Sequence, residues 1–137
     1  MSLRRPESLD GFQKTIQLDA WGTQLSTFAV IYGHLASRLM QNEALAERFL
    51  TDAERKLKDA WPYPVVEFLR GQMKESALLD LATDNDKQTM AHCNLGLWYL
   101  AEGRREVARE HFQWVWKNGN KRTYAYGIAL GEQRRLE

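Results

Sequence analysis

The chain has 137 residues, 44% of them hydrophobic and 27% charged, with 19 Lys and Arg against 18 Asp and Glu. This composition fits one folded domain with its own core and excludes a disordered chain. The near-neutral, scattered charge argues against a nucleic-acid binder, and no 18-residue apolar run is present to span a membrane.

Nine Gly and three Pro suit helices joined by short turns better than a β-rich fold, and five each of Trp, Tyr and Phe supply wedges for helix packing. Cys93 is the only cysteine, so no internal disulfide framework or CxxC metal knuckle exists. A single thiol suits a reducing compartment and a periplasm alike, so no compartment is assigned. The start, Met1-Ser2-Leu3-Arg4-Arg5-Pro6, lacks the apolar stretch of a signal peptide. The abrupt ends lead us to expect a segment of a longer polypeptide, with Met1 to Leu3 foreign to it.

Residues 1–23 read as a lead-in with one short helix near Phe12 to Leu18. From Gln24 to Met40, the apolar residues Leu25, Phe28, Ala29, Tyr32, Leu35, Ala36 and Leu39 recur at steps of three and four, a helical stripe. Asn42 is a candidate cap for the next helix, with Glu43 in its first turn. That helix is expected to run to about Lys58, with Ala46, Phe49, Leu50, Ala53 and Leu57 on one side. Trp61-Pro62-Tyr63-Pro64 breaks the pattern, and short helices are expected at Val65 to Arg70 and at Glu75 to Ala82. Thr83-Asp84-Asn85-Asp86 is rich in capping residues and precedes a long helix, Lys87 to Glu102. A Ca²⁺ loop is the other reading of Asp84 and Asp86, but it lacks the turn Gly and the distal Glu. Asn118-Gly119-Asn120 closes a further helix. A final one is expected at Thr123 to Leu136, carrying Tyr124, Ile128, Ala129 and Leu136.

Between Leu95 and Phe112 stands Leu95-Gly96-x2-Tyr99-x3-Gly103-x4-Ala108-x3-Phe112. This run resembles the signature of the tetratricopeptide repeat family, a 34-residue helical hairpin. It is a packing code: Gly96 admits a neighbouring helix, Tyr99 fills the wedge, Gly103 turns the chain, and Ala108 and Phe112 are small and large partners. His92 stands where the family has an aromatic residue, and Asn120 where it often has proline. Residues 24–58 form a weaker repeat, with Tyr32-Gly33 in the Leu-Gly slots and Ala46-x3-Leu50-x2-Ala53 on the second helix. Gly33 and Gly96 are 63 residues apart, close to two repeat lengths, which leaves 59–83 as a degenerate middle unit. The best repeat covers 86–120 and a capping helix 123–136. The tail from Trp114 to Leu136 also resembles the NlpI-type repeat lipoproteins of bacterial envelopes, which implies a bacterial adaptor that docks proteases or hydrolases.

The resemblance implies an all-α, right-handed stack of antiparallel helix pairs, with a core including Phe28, Leu35, Phe49, Leu50, Leu79, Leu95, Gly96, Tyr99, Ala108 and Phe112. It also implies a partner groove lined by the first helix of each pair. Carried over, the groove positions are Met90, Cys93, Leu97, Leu100 and Ala101 in the best repeat. In the weaker one they are Thr27, Val30, His34, Ser37 and Arg38. The first set is apolar and suits a hydrophobic helix or strand, unless the middle unit or the trailing helix buries it. His34 and Arg38, one turn apart, could meet a polar group.

The expected role is a non-catalytic adaptor for a protein or peptide, with no cofactor and no metal. Two alternatives stay open. One is self-association into a homo-oligomer through an apolar face. The other is a small enzyme or regulatory domain, which needs two of His34, His92 and His111, or one with Cys93, within hydrogen-bonding reach in a cleft. His111 is expected at the surface. Trp114 and Trp116 cannot both face one core, so one reaches a neighbouring segment or a partner.

Overall fold

The computed structural model describes residues 3–53 and 58–137. Among them the chain forms eight α-helices and no strand, so the fold is all-α. It divides into two compact units, Leu3–Lys74 and Glu75–Glu137. From Leu3 onward the expected lead-in falls in the first unit, and the expected middle segment 59–83 spans the boundary between the two.

In the first unit, α1 (Pro6–Asp19) packs along α2 (Leu25–Leu39), which also touches α3 (Glu43–Thr51) and α4 (Tyr63–Leu69). Surrounded in this way, α2 buries eleven of its fifteen residues, from Ser26 to Ser37. Phe28, expected in the core, instead stays 36% exposed beside Leu25 on the strip of α2 left uncovered. The α1–α2 corner is tied by Asp19. Its Oδ2 accepts from Ser26 Oγ at 2.6 Å and Ser26 N at 3.1 Å, and its Oδ1 accepts from Thr23 Oγ1 at 2.6 Å. These donors favour the carboxylate, the Ser26 hydroxyl first, and hold Asp19 down to about 2.

Helix α2 ends in a Schellman turn: Asn42 N donates to Ser37 O at 2.8 Å and Gln41 N to Arg38 O at 2.9 Å. Gln41 takes the left-handed position at φ 61° that glycine would occupy without strain. Gln41→Gly is therefore expected to stabilise the protein by about 0.5–1 kcal/mol, read as a shift in the urea midpoint. Asn42 caps α3 as expected, its Oδ1 accepting from Leu45 N at 3.1 Å. Helix α3 stops at Thr51, well before Lys58. Arg70 braces the end of the helix, its Nη2 donating to Leu50 O in the last turn at 2.5 Å and to Ala53 O just beyond it at 3.3 Å. Leu57, expected on the same helix, lies outside the described residues. The Trp61–Pro62 peptide bond is cis, and Pro64 sits in the first turn of α4.

In the second unit, α5 (Glu75–Leu81), α7 (Arg105–Asn118) and α8 (Tyr124–Leu136) all pack on α6 (Asn85–Ala101), and α7 also packs on α8. Asp84 caps α6, with Oδ1 accepting from Lys87 N at 2.9 Å. Asp86 is not a cap; its Oδ1 accepts from Asn120 Nδ2 at 2.6 Å and, with Asn120 N donating to Thr89 Oγ1 at 3.0 Å, ties the α7–α8 turn to α6. Gly103, at φ 82°, closes α6 with Arg104 N donating to Tyr99 O at 2.9 Å. In α5 the core residue is Leu78, not the expected Leu79. A seven-residue helix spans fewer than two turns, so its apolar spacing does not decide between the two faces.

Each unit holds one hairpin closed by the same contact. A Cβ placed on Gly96 would fall 2.5 Å from Phe112 Cε1, and one placed on Gly33 would fall 2.5 Å from Phe49 Cε1. The helices therefore approach as closely as glycine permits, with the ring laid on the bare backbone. Both pairs are sixteen residues apart in sequence. The large partner in the first hairpin is thus Phe49, where the sequence spacing pointed to Leu50.

Candidate functional site: a histidine pair in the second hairpin

The Gly96–Phe112 contact fixes the register of α6 against α7. In an antiparallel hairpin, residues before Gly96 then meet residues after Phe112, and residues after Gly96 meet those before it. His92 accordingly stacks on Trp114, with centroids 4.0 Å apart and planes at 21°, and Tyr99 stacks on His111 at 5.6 Å and 9°. Between the two stacks, His92 Nδ1 lies 3.0 Å from His111 Nδ1. The ring centroids are 5.2 Å apart, close to the largest separation that distance and two ring radii allow, so the Nδ1 atoms point head to head. This is the geometry of an N–H···N hydrogen bond, one ring donating and the other accepting.

Glu75 closes the cluster from α5. Its Oε1 accepts from Tyr99 Oη at 2.7 Å and stands 3.7 Å from His111 Nε2. Arg104 lies over the Tyr99 ring at 5.0 Å. Accepting the Tyr99 proton makes Glu75 the main cause of that phenol's raised pKa. Burial pushes His92 down to about 4, with the neighbouring His111 charge a second cause. Burial also lowers His111, against the opposing pull of Glu75 and Glu110. His111 is therefore a half-buried hairpin residue and not the surface residue expected, because Tyr99 and His92 cover it.

The groove positions fall elsewhere. Met90, Cys93 and Leu97 lie in the interior, Leu97 and Cys93 fully, and Leu100 and Ala101 are half-buried. Helix α8 covers this face: Ala129's backbone and Glu132 lie against Cys93, and burial first, then Glu132, raises the thiol strongly. Cys93 is thus a neutral packing residue with no nucleophilic character. In the first hairpin Thr27, Val30 and Ser37 are fully buried. His34 is buried too, and because a carbonyl only accepts, its Nδ1–H donates to Ala46 O at 2.8 Å. Arg38 is half-buried, its Nε 4.0 Å from Glu43, and its charge adds to the burial that lowers His34. Trp116 is 52% exposed while Trp114 packs on His92.

No family model matches this chain, and no curated protein or solved structure matches it significantly.

Among the described residues, no group of three or more His, Cys, Asp or Glu is placed to hold a metal ion, and no helix is long and apolar enough to cross a membrane. In the first unit a cleft of about 290 Å³ opens between α1 and α3. Ile16, Leu45 and Phe49 give it apolar lining, and Gln13, Gln17, Arg48 and Asp52 give it polar lining. The sequence did not single it out, because the short helix expected near Phe12 to Leu18, which carries Gln13, Ile16 and Gln17, read as a lead-in outside the repeats.

Proposed function

We propose that the chain is a non-catalytic protein-interaction scaffold, a tetratricopeptide-like stack of antiparallel helix pairs. The observation that carries this reading is the repeated interlock, glycine under phenylalanine at the same separation in both hairpins. Hairpins built on such a contact bury their apolar faces only by packing on further helices, which makes the architecture a supporting frame. Two features bear on the enzyme alternative. Cys93, a buried neutral thiol, speaks against thiol chemistry, whereas His92 and His111 do stand within the hydrogen-bonding reach that alternative requires, with their Nδ1 atoms engaged by each other.

The docking surface in this reading is the α1–α3 cleft, since the first-helix faces are filled by the chain itself. It fits a protein segment that seats an apolar side chain against Ile16, Leu45 and Phe49 and presents charge to Arg48 and Asp52. The test places a photoreactive side chain at Gln17, and at exposed Lys121 as control, in the source organism's extract. The reading expects a discrete adduct at Gln17 alone that Leu45→Arg abolishes while the helical circular dichroism is retained. Equal labelling at both positions, or an adduct indifferent to Leu45→Arg, contradicts it.

A further inference from the structure

The head-to-head histidines have a proton inventory that the rest of the hairpin must obey. With both rings neutral, one Nδ1 carries a hydrogen and the other offers its lone pair. His111 Nε2 faces the Glu75 carboxylate, so His111 keeps its hydrogen there and accepts at Nδ1, while His92 donates from its own Nδ1. One further proton fits this arrangement. Placed on His92 Nε2, it leaves the Nδ1–H···Nδ1 bond intact and charge-assisted, with the cation against the Trp114 face. A second does not fit. It must enter the shared space, where two N–H groups and two positive charges would oppose each other across 3.0 Å.

We propose that the His92–His111 pair is an acid-sensitive latch on the α6–α7 hairpin, closed by a single bridging proton and forced open when both rings become cationic. Opening separates the rings and undoes the two stacks they hold, His92 on Trp114 and His111 on Tyr99. The titratable and charged groups around the pair are Glu75 of α5, Tyr99 of α6 with Arg104 over it, and Glu110 of α7. On helix α8, Tyr124 and Glu132 act on Cys93. The Glu75 carboxylate beside His111 Nε2 favours the first proton.

The sign follows from the lowered pKa values. Both histidines bind protons less readily in the folded chain than at their ordinary value of 6.5. Their contribution to stability is complete above that pH and declines below it, for His92 as the pH falls toward about 4. His34 is lowered too, by burial in the first unit, so global acid unfolding alone would not isolate the latch.

Two local readouts do isolate it. Long-range ¹H–¹⁵N correlation spectra of the imidazoles at pH near 8 are expected to show His92 as the Nδ1–H tautomer and His111 as Nε2–H. On acidification the pair is expected to titrate in two separated steps. Two Nε2–H tautomers, or two rings titrating together at the ordinary histidine value, would overturn the proposal. The second readout is Trp114 fluorescence, taken as the difference between the protein and its Trp114→Phe variant. An acid step in that difference is expected, and His92→Phe, which keeps a ring on Trp114 but holds no proton, is expected to lose it. Persistence of the step in a folded His92→Phe protein also overturns the latch; if that variant does not fold, the tautomer measurement decides alone.

Discussion

Phe112→Ala and Phe49→Ala are each expected to destabilise the protein by about 3–5 kcal/mol, the range for removing a buried aromatic ring. Phe112 is fully buried and Phe49 is 4% exposed, and each ring lies on a glycine that has no side chain with which to fill the resulting space. A cavity floored by backbone cannot collapse by changing rotamers, which places both losses toward the upper end. Phe28→Ala is the matched control: that ring is 36% exposed, and its loss is expected to stay below about 1 kcal/mol. Urea titrations of the three variants followed by circular dichroism check the ordering. Equal losses at Phe28 and Phe112 would contradict the packing described above. A loss at either interlocked ring amounts to a large part of an ordinary domain's stability of about 5–15 kcal/mol, so extensive unfolding at room temperature is within the expected result.

The second large effect is at Leu97. As a groove-lining residue, Leu97→Glu would alter partner binding and leave the fold alone. As the fully buried side chain it is, the same change removes a core leucine and introduces a carboxylate without a partner. A loss above about 4 kcal/mol is expected, with the second unit failing to fold cooperatively. The measurement is thermal unfolding of the variant beside Leu97→Met, which conserves volume and should cost less than about 1.5 kcal/mol. A folded Leu97→Glu protein with an unchanged midpoint would return Leu97 to the surface.

The sequence made the second hairpin legible for a physical reason. Glycine beneath phenylalanine, a positive-φ glycine at the turn and a small residue facing the first helix are each required at one position, so they leave a pattern. The helix caps at Asn42 and Asp84 were legible on the same ground, since each side chain accepts an orphan backbone N–H; Thr123, which caps α8 in the same way, was read only as the start of that helix. Helix α1 was legible only in part, as a short helix near Phe12 to Leu18; its start at Pro6 was not, because only Leu9 of its fourteen residues is buried and no apolar stripe announces the first turns. Phe49 was passed over for Leu50 because the turn at Gln41 sits one residue later than at Gly103, and α3 absorbs the difference before its phenylalanine. Burial of the expected groove was undecidable from one helix, since Met90, Cys93 and Leu97 look alike under solvent and under α8. The histidine pair did leave a trace. Once Gly96 is placed on Phe112, antiparallel register sets His92 beside Trp114 and Tyr99 beside His111, and the two histidines must then meet.

The interlock itself is tested most directly by the sign of one substitution in two backgrounds. In the native chain, Gly96→Ala drives a methyl group into the Phe112 ring and is expected to cost about 1–3 kcal/mol. In a Phe112→Leu background, which withdraws the ring edge, the same change is expected to become neutral or to stabilise by up to about 1 kcal/mol, the helix preference of alanine over glycine. If Gly96→Ala costs the same with and without the ring, the glycine is not seated on the phenylalanine and the frame described here does not hold.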